Sequence, residues 1–138
     1  MKQILALFCL LPLLLSCKPA LVTPKNHKGS QIVVGSSGGV SGMLKEYVLL
    51  DNGSLFLSKG LKGEWKEIRN LKRSQSKEIF QKAAELGLDT IKFRHPGNMT
   101  YYLKFKQPHK SGEITWGESG VPPPQSINAF YQYLISIF

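Results

Sequence analysis

The stretch from Ile32 to Gly42 reads IVVGSSGGVSG, and within it Gly35-Ser36-Ser37-Gly38-Gly39 satisfies G-x-S-x-G, the nucleophile-elbow pattern. In such an elbow a serine sits on a sharp strand-to-helix turn and a histidine, oriented by an acid, takes its proton. Ser37, Asp89 and either His95 or His109 occur in an order that a triad permits. The same glycines loosely match phosphate loops, which hold their anion at a helix N-terminus. Both chemistries need a helix directly after the glycines. The residues after Gly42, MLKEYVLLDNGSLFLSKG, instead alternate with period two and contain Asn52-Gly53, a strong hairpin signal. A chain this short also cannot build the large sheet of a hydrolase. No catalytic residue is therefore expected. The glycines are read as a bulge, a tight bend or a close backbone approach.

Other chemistry is equally thin. His27, His95 and His109 show no ligand spacing and no H-E-x-x-H occurs, so neither a metal nor another cofactor is expected. The nine acids form no persuasive dyad. Asn52-Gly53-Ser54 and Asn98-Met99-Thr100 match the glycosylation pattern but read first as turns.

The N-terminus carries a different kind of chemistry. MKQILALFCLLPLLLSC has Lys2, an apolar run from Ile4 to Leu15, then Ser16-Cys17. This is signal-peptide order, and the run is shorter than the ~20 residues a spanning helix needs. Leu14-Leu15-Ser16-Cys17 resembles the lipobox of bacterial lipoproteins. That resemblance implies cleavage after residue 16, acylation of Cys17 (palmitate among the acyl groups) and a membrane partner held through lipid. Each buried acyl methylene contributes ~0.8 kcal/mol, so several chains hold a folded domain without a spanning helix. Cys9 leaves with the signal, so no intrachain disulfide is expected. Lys18 does not resemble the Asp that commonly signals inner-membrane retention, which points to the outer membrane, facing the periplasm.

Loss of residues 1–16 leaves 122 of the 138, enough for one domain. The full chain is +9, with 42% hydrophobic and 20% charged residues, and without Lys2 it is +8. Such a balance attracts anionic surfaces. An extracytoplasmic lipoprotein rarely meets nucleic acid, so none is expected as a partner. Residues 17–30 read as the lipidated cysteine and a tether, and residues 31–138 as a single domain, expected to be monomeric.

Elements follow from period and turn chemistry. A two-residue Asn52-Gly53 turn predicts pairs Leu50–Leu55 and Val48–Leu57 on one face, with Glu46 opposite Lys59. EWKEIRNL suggests a short strand with Trp65 and Ile68. A helix comes next, with Ile79, Phe80, Ala83 and Leu86 as its apolar stripe, Ser74 or Ser76 as its cap and Gly87 as its terminator. TIKFRHPGNMTYYLKFKQ predicts a hairpin with a three-residue Pro96-Gly97-Asn98 loop, Asn98 left-handed, pairing Phe93 with Tyr101 and Ile91 with Leu103. Lys92, Arg94, Tyr102, Lys104 and Lys106 then share the outer face, with no acid between Thr90 and Gly112. EITWG reads as a last strand. QSINAFYQYLISIF reads as a helix burying Ile127, Phe130, Tyr131 and Leu134, with Phe138 at its end. The fold class is α+β: an antiparallel sheet of about five to six strands packed against two amphipathic helices.

IVVGSSGGVSGM resembles the N-terminal strand and Ser-Gly-Gly-x-x-Gly element of emfourin, the small protein inhibitor of thermolysin-like metallopeptidases. SKEIFQKAAELG, TYYLKFK, EITWGESG and VPPPQSINAFYQYL are similar in outline to its later elements. Residues 51–71 add a hairpin that this family pattern lacks, and Val40 and Ser41 depart from its usual aromatic and alanine. The resemblance implies a non-catalytic protein-binding domain, with an extracytoplasmic protease as one partner class. The candidate binding residues are Gly38, Gly39 and Gly42, with Lys92, Arg94, Tyr102, Lys104 and Lys106 on the basic face. The alternative is a structural or anionic-surface-binding lipoprotein of the envelope.

Overall fold

The computed structural model of the chain describes residues 21–60 and 63–138. The segment expected to be a signal peptide, Cys17 and the start of the expected tether lie outside the described residues. No helix among the described residues is long and apolar enough to cross a membrane.

The architecture is α+β. Among the described residues seven strands form one sheet: β1 (Gln31–Gly38), β2 (Met43–Leu50), β3 (Ser54–Lys59), β4 (Lys66–Asn70), β5 (Phe93–Arg94), β6 (Met99–Lys106) and β7 (Ser111–Trp116). Helix α1 (Arg73–Glu85) follows β4, and α2 (Gln125–Ile137) closes the chain. The order across the sheet is β4-β3-β2-β1-β6-β7-β5, antiparallel except for the β5–β7 pair. The first four strands form a meander, and α1 then carries the chain to the opposite edge.

Both helices cover one face. Ile32, Val34, Leu103 and Ile114 of the sheet are buried there against Ile79 of α1 and Leu134 of α2. The helix stripes fall where the 3.6-residue period places them, with Ile79 and Ala83 of α1 and Ile127, Phe130, Tyr131 and Leu134 of α2 buried. Gly87 terminates α1 at φ +64. Ser74 and Ser76 are not caps, because the helix begins at Arg73 after Lys72. Ser76 is wholly buried instead, and its hydroxyl donates to the Asp51 carbonyl at 3.3 Å.

The β2–β3 register differs from the expectation by one residue. Leu49 pairs with Leu55, Val48 with Phe56 and Tyr47 with Leu57, and Glu46 faces Ser58 rather than Lys59. The loop is Asp51-Asn52-Gly53, with a Gly53 N–H to Leu50 carbonyl bond of 2.9 Å. Among the described residues only glycines have positive φ, so Asn52 does not adopt the type I′ conformation, and Gly53 alone bends back at φ +98. Asp51 and Asn52 are both engaged elsewhere: Asp51 binds His27 and the Ser30 N–H, and Asn52 accepts from the Ser54 N–H. The run Val48-Leu49-Leu50 is buried on both faces, so alternation alone could not orient it.

The expected Phe93–Tyr101 hairpin does not form. β5 runs parallel to β7, pairing Phe93 with Ile114 and Arg94 with Thr115. β7 takes the place beside β6, pairing Ile114 with Leu103 and Trp116 with Tyr101. Phe93 still joins the helix-side core, one strand further out. On β4, Glu67 and Arg69 pair with the successive residues Phe56 and Leu55, which leaves Ile68 as a bulge.

A smaller core lies on the face that neither α1 nor α2 covers. Val33, Val48, Leu50, Phe56 and Tyr102 are buried there, with Leu44 and Trp65 packed against them.

Candidate functional site

Glycines at two points of β1 organise its surroundings. Gly35 lies between Glu46 of β2 and Tyr102 of β6. The Tyr102 ring crosses over it, and the phenol donates to Glu46 Oε2 at 2.7 Å. A Cβ on Gly35 would meet Tyr102 Cζ at 2.5 Å and the Lys45 carbonyl oxygen at 2.7 Å, so only glycine leaves room. Burial, then the Glu46 carboxylate, push the Tyr102 hydroxyl well above the usual tyrosine range. On the other face Tyr131 donates to the Gly35 carbonyl at 3.3 Å, and burial raises its hydroxyl to about 12.

At the end of β1, Gly38 has φ +109, and a Cβ there would collide with the Asn98 carbonyl oxygen. The Gly39 N–H donates to that same oxygen at 2.9 Å, and the Gly42 N–H closes the turn on the Gly39 carbonyl at 3.1 Å. This places Met43, Gly38 and Met99 side by side across β2, β1 and β6. Val40 stands at the apex, fully exposed at 109%, with Met43 at 70% and Met99 at 37%. Tyr101, stacked 6.1 Å from Trp116, extends the apolar surface toward the helix face. The sequence marked the glycines. It did not show that the two methionines flank them, because that depends on the β1–β6 pairing.

Ser37 pairs with Leu44 and Thr100 inside β1, in a strand rather than on a strand-to-helix turn. Two of the residues a triad would draw on, His95 and Asp89, are engaged elsewhere. His95 Nδ1 lies 2.9 Å from Glu118 Oε2, and Lys110 Nζ lies 2.6 Å from Asp89 Oδ2. The Lys110 ammonium, bonded to Asp89, holds that carboxyl below the usual carboxylate range. Among the described residues no group of three or more His, Cys, Asp or Glu could hold a metal ion.

The basic face is assembled differently from the expectation. Tyr102 and Lys104 lie on the sheet face opposite the helices, with the Lys104 ammonium 4.9 Å from the Tyr102 ring centroid. Arg94 is level with Thr115 and Tyr102 but sits two strands from β6, on β5. Lys92 is exposed just before β5, and Lys106 is exposed at the end of β6. Glu113 of β7 comes between them, 3.3 Å from Lys104 and 3.9 Å from Arg94. The stretch without acids in the sequence is therefore interrupted in space by an acid from the neighbouring strand.

Two concave regions accompany these surfaces. A cleft of about 630 Å³ separates α1 from α2, floored by Ile79 and Phe130 and rimmed by Glu78, Lys82, Glu85 and Tyr133. A pocket of about 350 Å³ lies on the uncovered sheet face beside Trp65.

No known family model matches the sequence, and no curated protein is similar enough to count as a relative.

Proposed function

We propose that the protein is a lipid-anchored lipoprotein of the cell envelope, held through Cys17, whose domain binds another protein without catalysing a reaction. The binding element is the β1–β2 apex. The observation that carries this reading is the fully exposed Val40, flanked by the exposed Met43 and Met99 on a glycine-fixed backbone. Apolar side chains presented together on a protruding turn favour burial against a partner. The backbone bonds from Gly39 to Asn98 and from Gly42 to Gly39 hold the turn, which spares the apex part of the ordering cost of association.

Position supports the same reading. The described chain enters β1 at Gln31, and Gly38 lies at the other end of the strand. At ~3.3 Å per residue that separates the two ends by roughly 23 Å. An anchor on Cys17 would thus reach the fold at the end of β1 away from the apex. On this reading the apex meets a protein of the periplasmic space rather than the bilayer itself.

The sharper form of the proposal is inhibition of a thermolysin-like metallopeptidase. The test is a titration of such peptidases with the purified chain and with Val40→Asp. Near-stoichiometric inhibition, weakened at least about tenfold by Val40→Asp, is expected for a buried apolar contact. Full peptidase activity at micromolar excess removes the inhibitor form and leaves protein binding to be tested at the apex directly.

A further inference from the structure

The pocket beside Trp65 lies toward the opposite end of β1 from the apex. Its floor is Val33 and Val48, 4% and 1% exposed. Trp65 forms one wall, and Pro24 and Lys25 of the entering chain form another. That chain segment is tied in place. Gln31 Nε2 donates to the carbonyls of Pro24 at 3.0 Å and His27 at 3.3 Å. The imidazole Nε2 of His27 lies 2.8 Å from Asp51 Oδ1, and the Ser30 N–H donates to Asp51 Oδ2 at 2.7 Å. Residues 23–30, read from composition as tether, thus supply a fixed wall.

The charges around the rim favour an anion. Lys25, Lys104 and Lys106 line the pocket, against a single acid, Glu46. Glu46 accepts the Tyr102 phenol, and Lys104 shares Glu113 with Arg94. Lys25 and Lys106 make no ion pair among the described residues. Two unpaired ammonium groups beside a half-buried indole and an aliphatic floor suit a small anion with a carbon body. The volume lies at the low end of the range for small-ligand sites, ~300–1,000 Å³. Lysine ammoniums are common phosphate binders.

We propose that this pocket binds a phosphate-bearing glycerol headgroup, the phosphate between Lys25 and Lys106 and the glycerol carbons against Trp65. The ligand is either a soluble glycerol phosphate or the headgroup of an anionic phospholipid. The pocket stands on its own residues, whereas the membrane source rests on the proposed anchor. Lys25 comes eight residues after Cys17, so the pocket would lie within ~28 Å of an acylated Cys17.

The test uses the full chain in a neutral detergent and reads tryptophan emission. Trp65 borders the pocket, whereas Trp116 is buried on the helix side and serves as the constant background. Glycerol phosphate is titrated in one arm, phosphatidylglycerol in mixed micelles in a second, and phosphatidylcholine in a third. A saturable change with either anionic probe and none with phosphatidylcholine is expected. A response to glycerol phosphate alone assigns a soluble source, and a response to phosphatidylglycerol alone assigns the bilayer. Lys25→Glu with Lys106→Glu should weaken the response at least about tenfold, consistent with two lost charge-assisted contacts. The charge-matched control, Lys77→Glu with Lys82→Glu on α1, should leave it within about twofold, as screened charges at a distance do. Absence of a saturable response in both anionic arms overturns the site. So does equal loss in the control, which would mean a general charge effect.

Discussion

At the Gln31 end of β1, polar groups hold one another. Gln31, His27, Ser30 and Asp51 form a connected set, and Asp51 ties the entering chain to the β2–β3 loop and to Ser76 of α1. At the Gly38 end, backbone bonds from Gly39 and Gly42 fix the turn, and the side chains project apolar surface into water. One end puts its side chains into the fold, and the other leaves them available to a partner. Removing a side chain at either end should therefore separate stability from binding, whereas a backbone clash at Gly38 should cost both.

The largest effect belongs to Gly38→Ala. A left-handed φ costs a non-glycine residue about 1–3 kcal/mol, and the collision with the Asn98 carbonyl adds to it. A loss of about 3 kcal/mol in urea unfolding is expected, together with loss of partner binding because the apex is displaced. A stability change under about 1 kcal/mol would mean that the apex is not held by this turn.

Asp51→Ala comes next. It removes the acceptor for His27 and for the Ser30 N–H and should cost about 2 kcal/mol, with partner binding unchanged. Weakened apex binding in this variant would show that the two ends are coupled. Val40→Asp is the converse case. Its side chain is fully exposed, so stability should stay within ~0.5 kcal/mol while binding is lost. Normal binding by Val40→Asp would break the comparison at its apolar end.

The smallest effect lies at the Gln31 end, in the Asp89–Lys110 pair. The Asp89 carboxyl is held below its ordinary value, so its contribution is present above about pH 4 and is lost as the pH falls through the depressed value. Asp89→Asn should be slightly less stable than the parent at neutral pH. The gap should close on acidification, as read from unfolding midpoints across the acid range. A gap that persists in acid would assign the effect to shape rather than charge.

Local signals in the sequence carried much of the fold. The helix stripes, the Gly87 stop and the strand character of residues 43–59 all rest on period and turn chemistry within one segment. Non-local pairings did not show. Val48-Leu49-Leu50 is apolar on both faces, so only the three-residue loop, with Asp51 engaged elsewhere, reveals its orientation. Phe93 found Ile114 rather than Tyr101 because β7 lies between β5 and β6, an arrangement that no local pattern encodes. The candidate surfaces obey the same rule. The glycines of the apex stood out in the sequence, but Met99 reaches them only through β1–β6 pairing. Glu113 interrupts the basic face from another strand, and Trp65 and Lys25 meet across a pocket though 40 residues apart in the chain.

The apex itself is tested most directly by a photoreactive amino acid placed singly at Val40, at Lys59 and at Lys82, followed by irradiation of intact cells. Lys59 and Lys82 are exposed positions at the end of β3 and on α1. One discrete adduct is expected from position 40, absent from the other two and reduced when Met43→Asp is added. No adduct at position 40, or the same adduct from position 82, would contradict binding at the apex.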